Sequence, residues 1–357
     1  RFAKAGGGVT GTQLAIGVVG AGNWGRNLVR VFAENKNAQL LGVCDSQEAV
    51  RNRVKRQYPS VQTVSEFEQL LALKGLDAVV IAAPAAAHFA LAKMALQAGK
   101  HAYVEKQLTL RAAESEELVA LAADLNLRLM VGHLLLYHPA VEWIKQKLTE
   151  GEFGDIYYIY STRVNLGHVR SDENALWSLA PHDISVILHL LDADPEVVTA
   201  RGECFLQPGI EDVVFMSMHF PGKRMSHCQV SWLDPHKVRQ FTLVGTKRMV
   251  VFNDTHPTEK VRVFDRGVDI KDNFDNYAEW LTLRSGDLYV PAISSDEPLR
   301  RECDHFVQCA LNGKTPRTDG LNGLRVVRVL EAASKALRDG GKPVQMADLL
   351  SPGQQKH

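Results

Sequence analysis

The sequence predicts an α/β protein with a doubly wound parallel sheet in its first third, followed by an α+β domain with a large open, mostly antiparallel sheet. Two observations carry this prediction. As far as about residue 132, short β-rich runs alternate with helix-like segments, which is typical of a parallel sheet with crossover helices. Longer strand-like runs then follow one another through turn signals such as Pro221-Gly222, which favour antiparallel strands.

The first domain is predicted over residues 13–134, and residues 1–12 are expected to be a leader or an expression remnant. Its candidate strands are Ala15–Val19, Leu40–Cys44, Ala78–Ala82, His101–Val104 and Arg128–Val131. Its candidate helices are Gly25–Glu34, Gln47–Gln57, Val64–Leu73, His88–Gln97 and Ala112–Leu125. Ser65 begins Ser-Glu-Phe-Glu, which has the form of a helix capping box.

The second domain is predicted over residues 135–350. Its candidate strands are Ile156–Arg163, Val197–Cys204, Asp212–Phe220, Met225–Trp232, Arg239–Val244 and Arg248–Phe252. Its candidate helices are Pro139–Glu150, Ala175–Leu191, Glu297–Leu311 and Leu321–Arg338. This composition predicts one open sheet with flanking helices.

A glycine-rich turn joins the first strand to the first helix and has the form Gly20-x-Gly22-x-x-Gly25, with Asn23 and Trp24 inside it. The first glycine allows a tight turn, the second lets backbone approach a pyrophosphate, and the third allows close helix packing. Asp45 ends the next strand, 20 residues after Gly25, where a carboxylate can accept hydrogen bonds from a ribose diol. The pattern predicts a Rossmann domain that binds a dinucleotide.

Asp45 also indicates which dinucleotide binds. A 2′-phosphate about 4 Å from this carboxylate would be repelled by roughly 4 kcal/mol at an effective dielectric constant near 20. Arg51 and Arg53 follow closely and could reach a 2′-phosphate, but on a helix they are expected to face water. The sequence therefore favours NAD over NADP.

Composition excludes several classes of function. Lys and Arg total 41, as do Asp and Glu, so the chain lacks the basic footprint of a nucleic-acid-binding protein. No apolar run approaches the ~18 residues of a membrane span. The five cysteines form no CxxC pair, and His133 and His138 lack the spacing of a metal-binding HExxH motif. We expect a cytoplasmic protein without a metal, a nucleic-acid partner or a membrane partner.

Lys106 follows the strand His101–Val104 directly, beside the expected cofactor crevice. From its position, Lys106 is either an acid/base or positioning group for a substrate hydroxyl, or a solvated surface lysine. The chain resembles the glucose-fructose oxidoreductase / inositol dehydrogenase / MocA family in a set of motifs that is specific only in combination. These are the Gly20 turn, Ala82-Ala83-Pro84 with His88, the run Ala98–Lys106 that ends in Glu105-Lys106, and the closing stretch Lys314–Gly320.

The resemblance implies that Ala83, Pro84, His88 and Glu105 contribute to the cofactor site. It also implies that Lys106 lies near the nicotinamide and the reacting hydroxyl. The family's usual tripeptide is Glu-Lys-Pro, and here Gln107 replaces its proline. Because the proline chiefly shapes the backbone, its replacement need not disable the lysine.

The family's catalytic histidine maps to His182 on the predicted helix Ala175–Leu191. Pro181 is expected to mark a local helix start, from which His182 points into a cleft, and Asp183 could orient or charge-tune the imidazole. His182 would act as general base while Lys106 stabilises the developing carbonyl oxygen, although these two roles could be exchanged.

The stretch 161–170 is dense in hydrogen-bond donors and predicts a substrate contact through Arg163, Asn165, His168 and Arg170. The alternative is an ordinary solvated loop, with arginine paired to Asp172 or Glu173. Together with residues 132–137, including Tyr137, this stretch resembles the branch of the family that oxidises the 3-hydroxyl of UDP-N-acetylglucosamine or its uronic acid. An aminotransferase then acts on the product for lipid A or surface polysaccharide. A uronic acid would require an extra cation, so UDP-N-acetylglucosamine is favoured.

Three other functions remain open. The same residues could serve a dehydrogenase of free sugars or inositols, or an NAD-dependent glycosidase that oxidises carbon 3 transiently. An NAD-binding sensor without turnover would need neither Lys106 nor His182. The resemblance further implies a homodimer or homotetramer assembled through the open sheet of the second domain.

Overall fold

A computed structural model describes residues 13–167, 169–270 and 281–349 of the 357-residue chain. Within them the chain forms two compact units. One contains the described residues up to Tyr137 together with Glu297–Val327, and the other contains His138–Asp296 and the described residues from Arg328. The sequence-based division at residue 134 had assigned residues 297–327 to the second domain.

A single six-stranded parallel sheet forms the centre of the first unit. Its strands are β1 (Leu14–Val19), β2 (Ala38–Cys44), β3 (Gln62–Val64), β4 (Ala78–Ile81), β5 (His101–Glu105) and β6 (Leu129–Gly132). Their order is β3-β2-β1-β4-β5-β6, which confirms the predicted doubly wound fold. The short β3 was not predicted. The order reverses between β1 and β4, where such sheets open a crevice beyond the carboxyl ends of their strands.

Helices flank this sheet and bury their apolar sides. They are α1 (Gly25–Glu34), α2 (Glu48–Gln57), α3 (Phe67–Leu71), α4 (Ala85–Gln97), α5 (Ala112–Asp124) and α8 (Pro298–Asn312). The capping box of α3 is formed by Glu66 and Gln69, so the predicted cap at Ser65 is wrong by one residue. α8 belongs to this unit because it packs on α1, with Asn35 donating to Asp304 at 2.6 Å.

The second unit is built on a nine-stranded sheet. Its strands are β7 (Ile156–Val164), β8 (Val197–Glu203), β9 (Val213–Phe220), β10 (Arg224–Ser231), β11 (Val238–Gly245), β12 (Met249–Asn253), β13 (Val261–Ile270), β14 (Leu281–Tyr289) and β15 (Val344–Gln345). Their order is β14-β13-β12-β11-β7-β10-β9-β8-β15. Among the described strands of this sheet, only β7 and β10 pair in parallel. The predicted mostly antiparallel sheet is confirmed.

Two further helices of the second unit are α6 (Pro139–Thr149) and α7 (Ala175–Leu191), while α9 (Gly320–Arg338) contributes its last turns. α7 packs on β7, β9 and β10 and covers one face of the sheet. Ile159 is buried on that side, whereas Tyr158 and Tyr160 are each 40% exposed on the other. None of the described helices is long and apolar enough to cross a membrane.

Candidate functional site

The glycine turn has the geometry that a dinucleotide site needs. Gly20 has a φ of 81°, in the region that favours glycine, and donates its N–H to the Cys44 carbonyl at 2.8 Å. A Cβ on Gly20 would lie 2.7 Å from the Ala82 carbonyl oxygen, and one on Gly25 would overlap the Gly20 carbonyl oxygen. A Cβ on Gly22, by contrast, would meet no atom within 4 Å. The backbone at Gly22 is therefore open to a pyrophosphate.

The residues that follow Gly22 leave the start of α1 accessible. Asn23 and Trp24 are exposed, and Trp24 is the N-cap residue of α1 without a side-chain hydrogen bond to the helix. The first N–H groups of a helix have no partner within the helix and favour an anion. This end of α1 suits the phosphates of NAD.

Asp45 is half-buried at the carboxyl end of β2, and its side chain contacts the glycine turn. Its Oδ2 accepts the Ala21 N–H at 2.9 Å and its Oδ1 accepts the Gln47 N–H at 2.9 Å. Each carboxylate oxygen has two lone pairs, so both can accept a further bond. The carboxylate is thereby held in place to receive a ribose diol.

Arg51 and Arg53 do not face water, contrary to the expectation from the sequence. Arg51 donates through Nη1 to the Asp45 carbonyl at 2.7 Å and to the Ser46 carbonyl at 2.8 Å. Arg53 donates to the Ala21 carbonyl. Both side chains are half-buried, because main-chain carbonyls around Asp45 draw their guanidinium groups inwards.

Glu105, predicted to bind cofactor, is enclosed by protein groups. Its carboxylate accepts the Lys106 N–H at 3.3 Å and lies near the Tyr103 hydroxyl at 3.4 Å, and the Trp24 side chain also donates to it. Burial raises the pKa of Glu105 above its ordinary value, opposed by these hydrogen bonds and the charge of Lys106. A second buried acid, Glu302 on α8, has its pKa raised well above the ordinary value by burial and by the charge of Glu105. Glu105 thus links the glycine turn to the loop that carries Lys106.

His88 joins the loops that follow β4 and β5. Its Nδ1 lies 2.7 Å from the Gln107 carbonyl and its Nε2 lies 2.9 Å from the Ala83 carbonyl. The ring is 1% exposed, and both of its nitrogens contact backbone carbonyls of these loops. Pro84 is the N-cap residue of α4 and is exposed. These contacts position Ala83 and Pro84 on the same edge of the sheet as Lys106.

Lys106 is half-buried at the carboxyl end of β5, and the Lys106–Gln107 peptide bond is cis. The Gln107 side chain is 1% exposed, and neither polar atom of its amide has a hydrogen-bond partner among the described residues. The only sign of Gln107 in the sequence is the departure from the family's proline.

In the sequence, His133 belongs to the stretch 132–137 that resembles the nucleotide-sugar branch and is an improbable metal ligand; in the structure it lies beside the strand end that carries Lys106. Glu105 pairs with Gly132 across β5 and β6, so Lys106 and His133 are the next residues on neighbouring parallel strands. The Nδ1 of His133 lies 2.6 Å from the Asn322 Oδ1, and burial lowers the pKa of His133 to about 4, with a further lowering by the charge of Lys106. The imidazole is therefore neutral at physiological pH, with Nδ1 as the donor.

α7 carries the two predicted catalytic residues of the second unit. It begins at Ala175, where the Asn174 side chain accepts the Trp177 N–H at 3.0 Å, so Pro181 lies inside the helix and does not start it. His182 is half-buried, whereas Asp183 is 4% exposed. Adjacent residues of this helix therefore differ in their access to solvent.

Asp183 pairs with Arg163 of β7 inside the second unit. The Arg163 Nε donates to Asp183 Oδ2 at 2.6 Å, and its Nη2 donates to Oδ1 at 3.3 Å. Arg163 is only 6% exposed. Because each charge already has the other as its partner, the arrangement favours a positioning role for both, instead of direct contact with a substrate or with the His182 ring.

The other predicted substrate residues differ in accessibility. Tyr137 is 2% exposed and bonds the Thr318 hydroxyl at 3.0 Å, which makes it part of the core of the first unit. Asn165 is half-buried, and Arg170 is exposed with its Nε 3.1 Å from Glu173, as in the solvated-loop alternative. His168 lies outside the described residues.

Two family models match the chain. Residues 14–133 match the model described as "Oxidoreductase family, NAD-binding Rossmann fold", and residues 141–251 match the GFO/IDH/MocA C-terminal domain. Both models belong to one family and together cover well over half of the sequence. The predicted NAD-binding Rossmann domain is confirmed.

Among curated proteins, UDP-N-acetylglucosamine 3-dehydrogenase from Acidithiobacillus ferrooxidans is 33% identical over 196 residues. That match covers 53% of this chain but only 58% of the relative. The NAD-dependent scyllo-inositol 2-dehydrogenase of Bacillus subtilis is 25% identical over 350 residues, with 94% of this chain and 96% of the relative covered. The similar proteins thus include enzymes that act on a sugar nucleotide and on a free cyclitol.

Among solved structures, that of UDP-N-acetylglucosamine 3-dehydrogenase from Acidithiobacillus ferrooxidans superposes with a TM-score of 0.77 at 24% identity. It covers 92% of this chain and 98% of the other. A putative oxidoreductase from Magnetospirillum magnetotacticum has a TM-score of 0.77 at 27% identity, with 90% and 99% covered. The fold is shared along nearly the whole chain.

Proposed function

Because the chain belongs to the glucose-fructose oxidoreductase / inositol dehydrogenase / MocA family of NAD-binding oxidoreductases, we propose that it oxidises the 3-hydroxyl of a UDP-sugar. UDP-N-acetylglucosamine is the favoured substrate and the 3-keto sugar the product. The observation that carries the proposal is the position of Lys106, at a strand end that Glu105 links to the glycine turn and that His88 links to the loop after β4. The 33% identity to a UDP-N-acetylglucosamine 3-dehydrogenase supports the choice of substrate.

NAD, when bound, supplies the two-electron oxidant. Lys106 donates a hydrogen bond to the substrate oxygen and stabilises the partial negative charge that develops as the carbonyl forms. Its main chain is anchored to the buried Glu105 carboxylate, which limits how far the lysine can move. Placing a donor in advance where charge develops avoids reorganisation during the reaction.

His182 accepts the hydroxyl proton in this proposal. A neutral imidazole can take up a proton, and general base catalysis typically contributes 10²–10⁴-fold. The ion pair between Arg163 and Asp183 anchors α7 on the sheet directly beside His182 in sequence. The roles of Lys106 and His182 rest on the family resemblance and could be exchanged.

The loop between β7 and α7 supplies the proposed contact to the diphosphate. The Arg170 side chain is 45% exposed, and its Nε lies 3.1 Å from Glu173 Oε1. A diphosphate is a charge-assisted partner that can compete with Glu173 for this guanidinium. Asn165 lies at the start of the same loop.

The proposal also covers cellular context. All five cysteines are free thiols, which suits the reducing cytoplasm in which UDP-sugars are made. The ketone product is the substrate class of an aminotransferase, consistent with amino-sugar formation for lipid A or a surface polysaccharide. The open sheet face exposes Tyr158, Tyr160, Phe215 and Met225, an apolar surface that supports a homodimer or homotetramer.

A dehydrogenase of free sugars or inositols is the second candidate. It is favoured by the similarity to scyllo-inositol 2-dehydrogenase, which extends over 94% of this chain. The Lys106 and His182 chemistry applies equally to a cyclitol hydroxyl. The two candidates differ in whether UDP contributes to binding.

The deciding experiment measures NADH formation with UDP-N-acetylglucosamine, coupled to an aminotransferase that removes the ketone. We expect turnover that Lys106→Ala and His182→Ala abolish while NAD still binds. UDP at 100 times its dissociation constant should stabilise the protein by about 2.7 kcal/mol, whereas free glucose should not. Turnover of inositol or glucose without turnover of the UDP-sugar would refute the proposal, and product formation without net NADH would identify a glycosidase.

A further inference from the structure

Arg239 of β11 lies directly opposite Arg163 of β7 in the sheet of the second unit. The register of these antiparallel strands pairs Val238 with Val164 and Arg239 with Arg163. Side chains of directly opposite residues share a face of the sheet, with their Cβ atoms about 4.5–5.5 Å apart. Arg163 reaches Asp183 of α7 from this face, so Arg239 lies on the face that carries α7.

Arg239 is not neutralised by the carboxylates around it. Its guanidinium forms no hydrogen bond or ion pair with the residues that the structure describes. Asp183 attracts Arg239 only from a longer distance, because its Oδ2 lies 2.6 Å from the Nε of Arg163. Asp254 also attracts Arg239, but its Oδ1 lies 3.8 Å from the Nζ of Lys260. Both acids are closer to another cation, which leaves the positive charge of Arg239 uncompensated.

This arrangement favours an anionic ligand at Arg239. Like charges directly opposite one another on neighbouring strands destabilise a sheet. Burial and, after it, the charge of Arg163 lower the pKa of Arg239 from its ordinary value, yet a guanidinium stays charged at physiological pH. Arg239 is exposed, so an anion can reach it from solvent. Binding of that anion would offset the repulsion between the two arginines.

Arg239 also lies beside the residues proposed to bind the sugar. β7 ends at Val164 and β11 begins at Val238, so the loop that starts at Asn165 leaves the sheet next to Arg239. Asp183, whose charge acts on Arg239, follows His182 directly on α7. The uncompensated cation is therefore close to the part of α7 that is proposed to meet the reacting sugar.

We propose that Arg239 is a specificity-determining residue that binds a carboxylate carried by the sugar ring of the substrate. This inference rests on the proposed UDP-sugar activity. In the sequence, UDP-N-acetylglucosamine is favoured because a uronic acid would require an extra cation, and the strand register supplies that cation at Arg239. A carboxylate is suited to this position because the planar fork of a guanidinium can bind both of its oxygens.

The test compares UDP-glucuronic acid with UDP-glucose by isothermal titration calorimetry, on protein saturated with NAD. The two ligands differ only at carbon 6, which is a carboxylate in one and a hydroxymethyl group in the other. Arg239→Gln should weaken UDP-glucuronic acid about tenfold relative to UDP-glucose, as expected for the loss of a hydrogen bond to a charged group. Arg239→Lys should lose less, because it keeps the charge without the planar fork.

Two further arginines of the second unit provide the controls. Arg262→Gln removes an arginine of β13 that pairs with Glu259, and it measures the effect of overall charge. Arg170→Gln should weaken both ligands in parallel, because both carry the diphosphate. The measured quantity is the ratio of the two dissociation constants, which cancels any general effect on the fold.

A ratio that changes threefold or more in Arg239→Gln, and less than that in Arg262→Gln, supports the carboxylate contact. A smaller change overturns it, and so does a parallel loss of both ligands, which would assign Arg239 to the diphosphate. An equal change in Arg262→Gln also overturns it, because the effect would then be one of overall charge.

Failure of the UDP-sugar proposal itself would give a different result. In that case neither UDP-sugar would bind to the wild-type protein, and the same ratio would be measured with glucuronate and glucose. A preference for glucuronate that Arg239→Gln removes would still support the contact, and the absence of such a preference would overturn it.

Discussion

Removal of the buried charge at Asp183 should strongly destabilise the second unit. In Asp183→Asn, Arg163 would remain charged at 6% exposure without the carboxylate that now lies 2.6 Å from its Nε. Breaking a buried ion pair by removing one partner costs about 3–5 kcal/mol. Urea unfolding followed by tryptophan fluorescence measures this change, since Trp143, Trp177 and Trp232 belong to the same unit.

A surface ion pair of the same unit provides the control. Glu259→Gln removes the partner of Arg262, in a pair whose side chains are 46% and 42% exposed, and should change the free energy of unfolding by no more than ~1 kcal/mol. The double variant Arg163→Met/Asp183→Leu should recover most of the stability lost in Asp183→Asn, because an apolar pair leaves no buried charge. It should also retain activity if the pair only anchors α7.

Two results would refute this reasoning. If Asp183→Asn lowered the free energy of unfolding by less than ~1 kcal/mol, the charges of Arg163 and Asp183 would not be buried together in solution. Restored stability in the double variant without restored activity would mean that the pair does more than anchor α7, either through Asp183 acting on His182 or through Arg163 contacting the substrate, as the sequence alone had suggested.

The remaining predictions concern the first unit. Gly25→Ala should abolish NAD binding in a calorimetric titration, because its Cβ would overlap the Gly20 carbonyl oxygen; retained affinity would contradict the turn geometry. Burial lowers the pKa of His133 to about 4 in the folded protein, below the ordinary value of about 6.5 that applies in the unfolded chain. Protonation therefore favours the unfolded chain, and the free energy of unfolding should fall by about 3 kcal/mol as the pH drops from 6.5 to 4. His133→Gln should flatten that slope, and an unchanged slope would exclude His133 as its source. The pKa of Glu302 is raised in the folded protein, so this carboxyl group destabilises the fold increasingly as the pH rises above about 4.5. Glu302→Gln should therefore raise the urea midpoint at pH 8 more than at pH 5. Equal shifts at the two pH values would count against a buried, protonated Glu302.

Local sequence was sufficient to predict the helices and strands whose conformation is decided by a short stretch of the chain. The bounds of α1 and α7 are those predicted, because each is an apolar periodic segment, although Pro181 lies inside α7 and does not mark the start that the sequence suggested. β1 was predicted within one residue because a parallel strand buried on both faces appears as a continuous apolar run. β3 was missed because three residues carry too little pattern to separate a strand from a loop.

The candidate site divides in the same way. The glycine turn and Asp45 could be found from the sequence because a dinucleotide site requires particular residue types at short, regular spacings. His133 could not, since its relation to Lys106 depends on the register of two strands, and its tautomer depends on Asn322, which lies 189 residues away.

The sequence by itself determined the fold class, the cofactor and the strand end that carries Lys106, because each depends on short segments whose residues encode their own conformation. Only the tertiary structure decided that residues 297–327 complete the first unit, that Arg163 pairs with Asp183, and that Arg51 and Arg53 donate to main-chain carbonyls beside Asp45 and in the glycine turn. Long side chains choose their partners by distance in space, and folding brings together residues whose separation along the chain carries no signal.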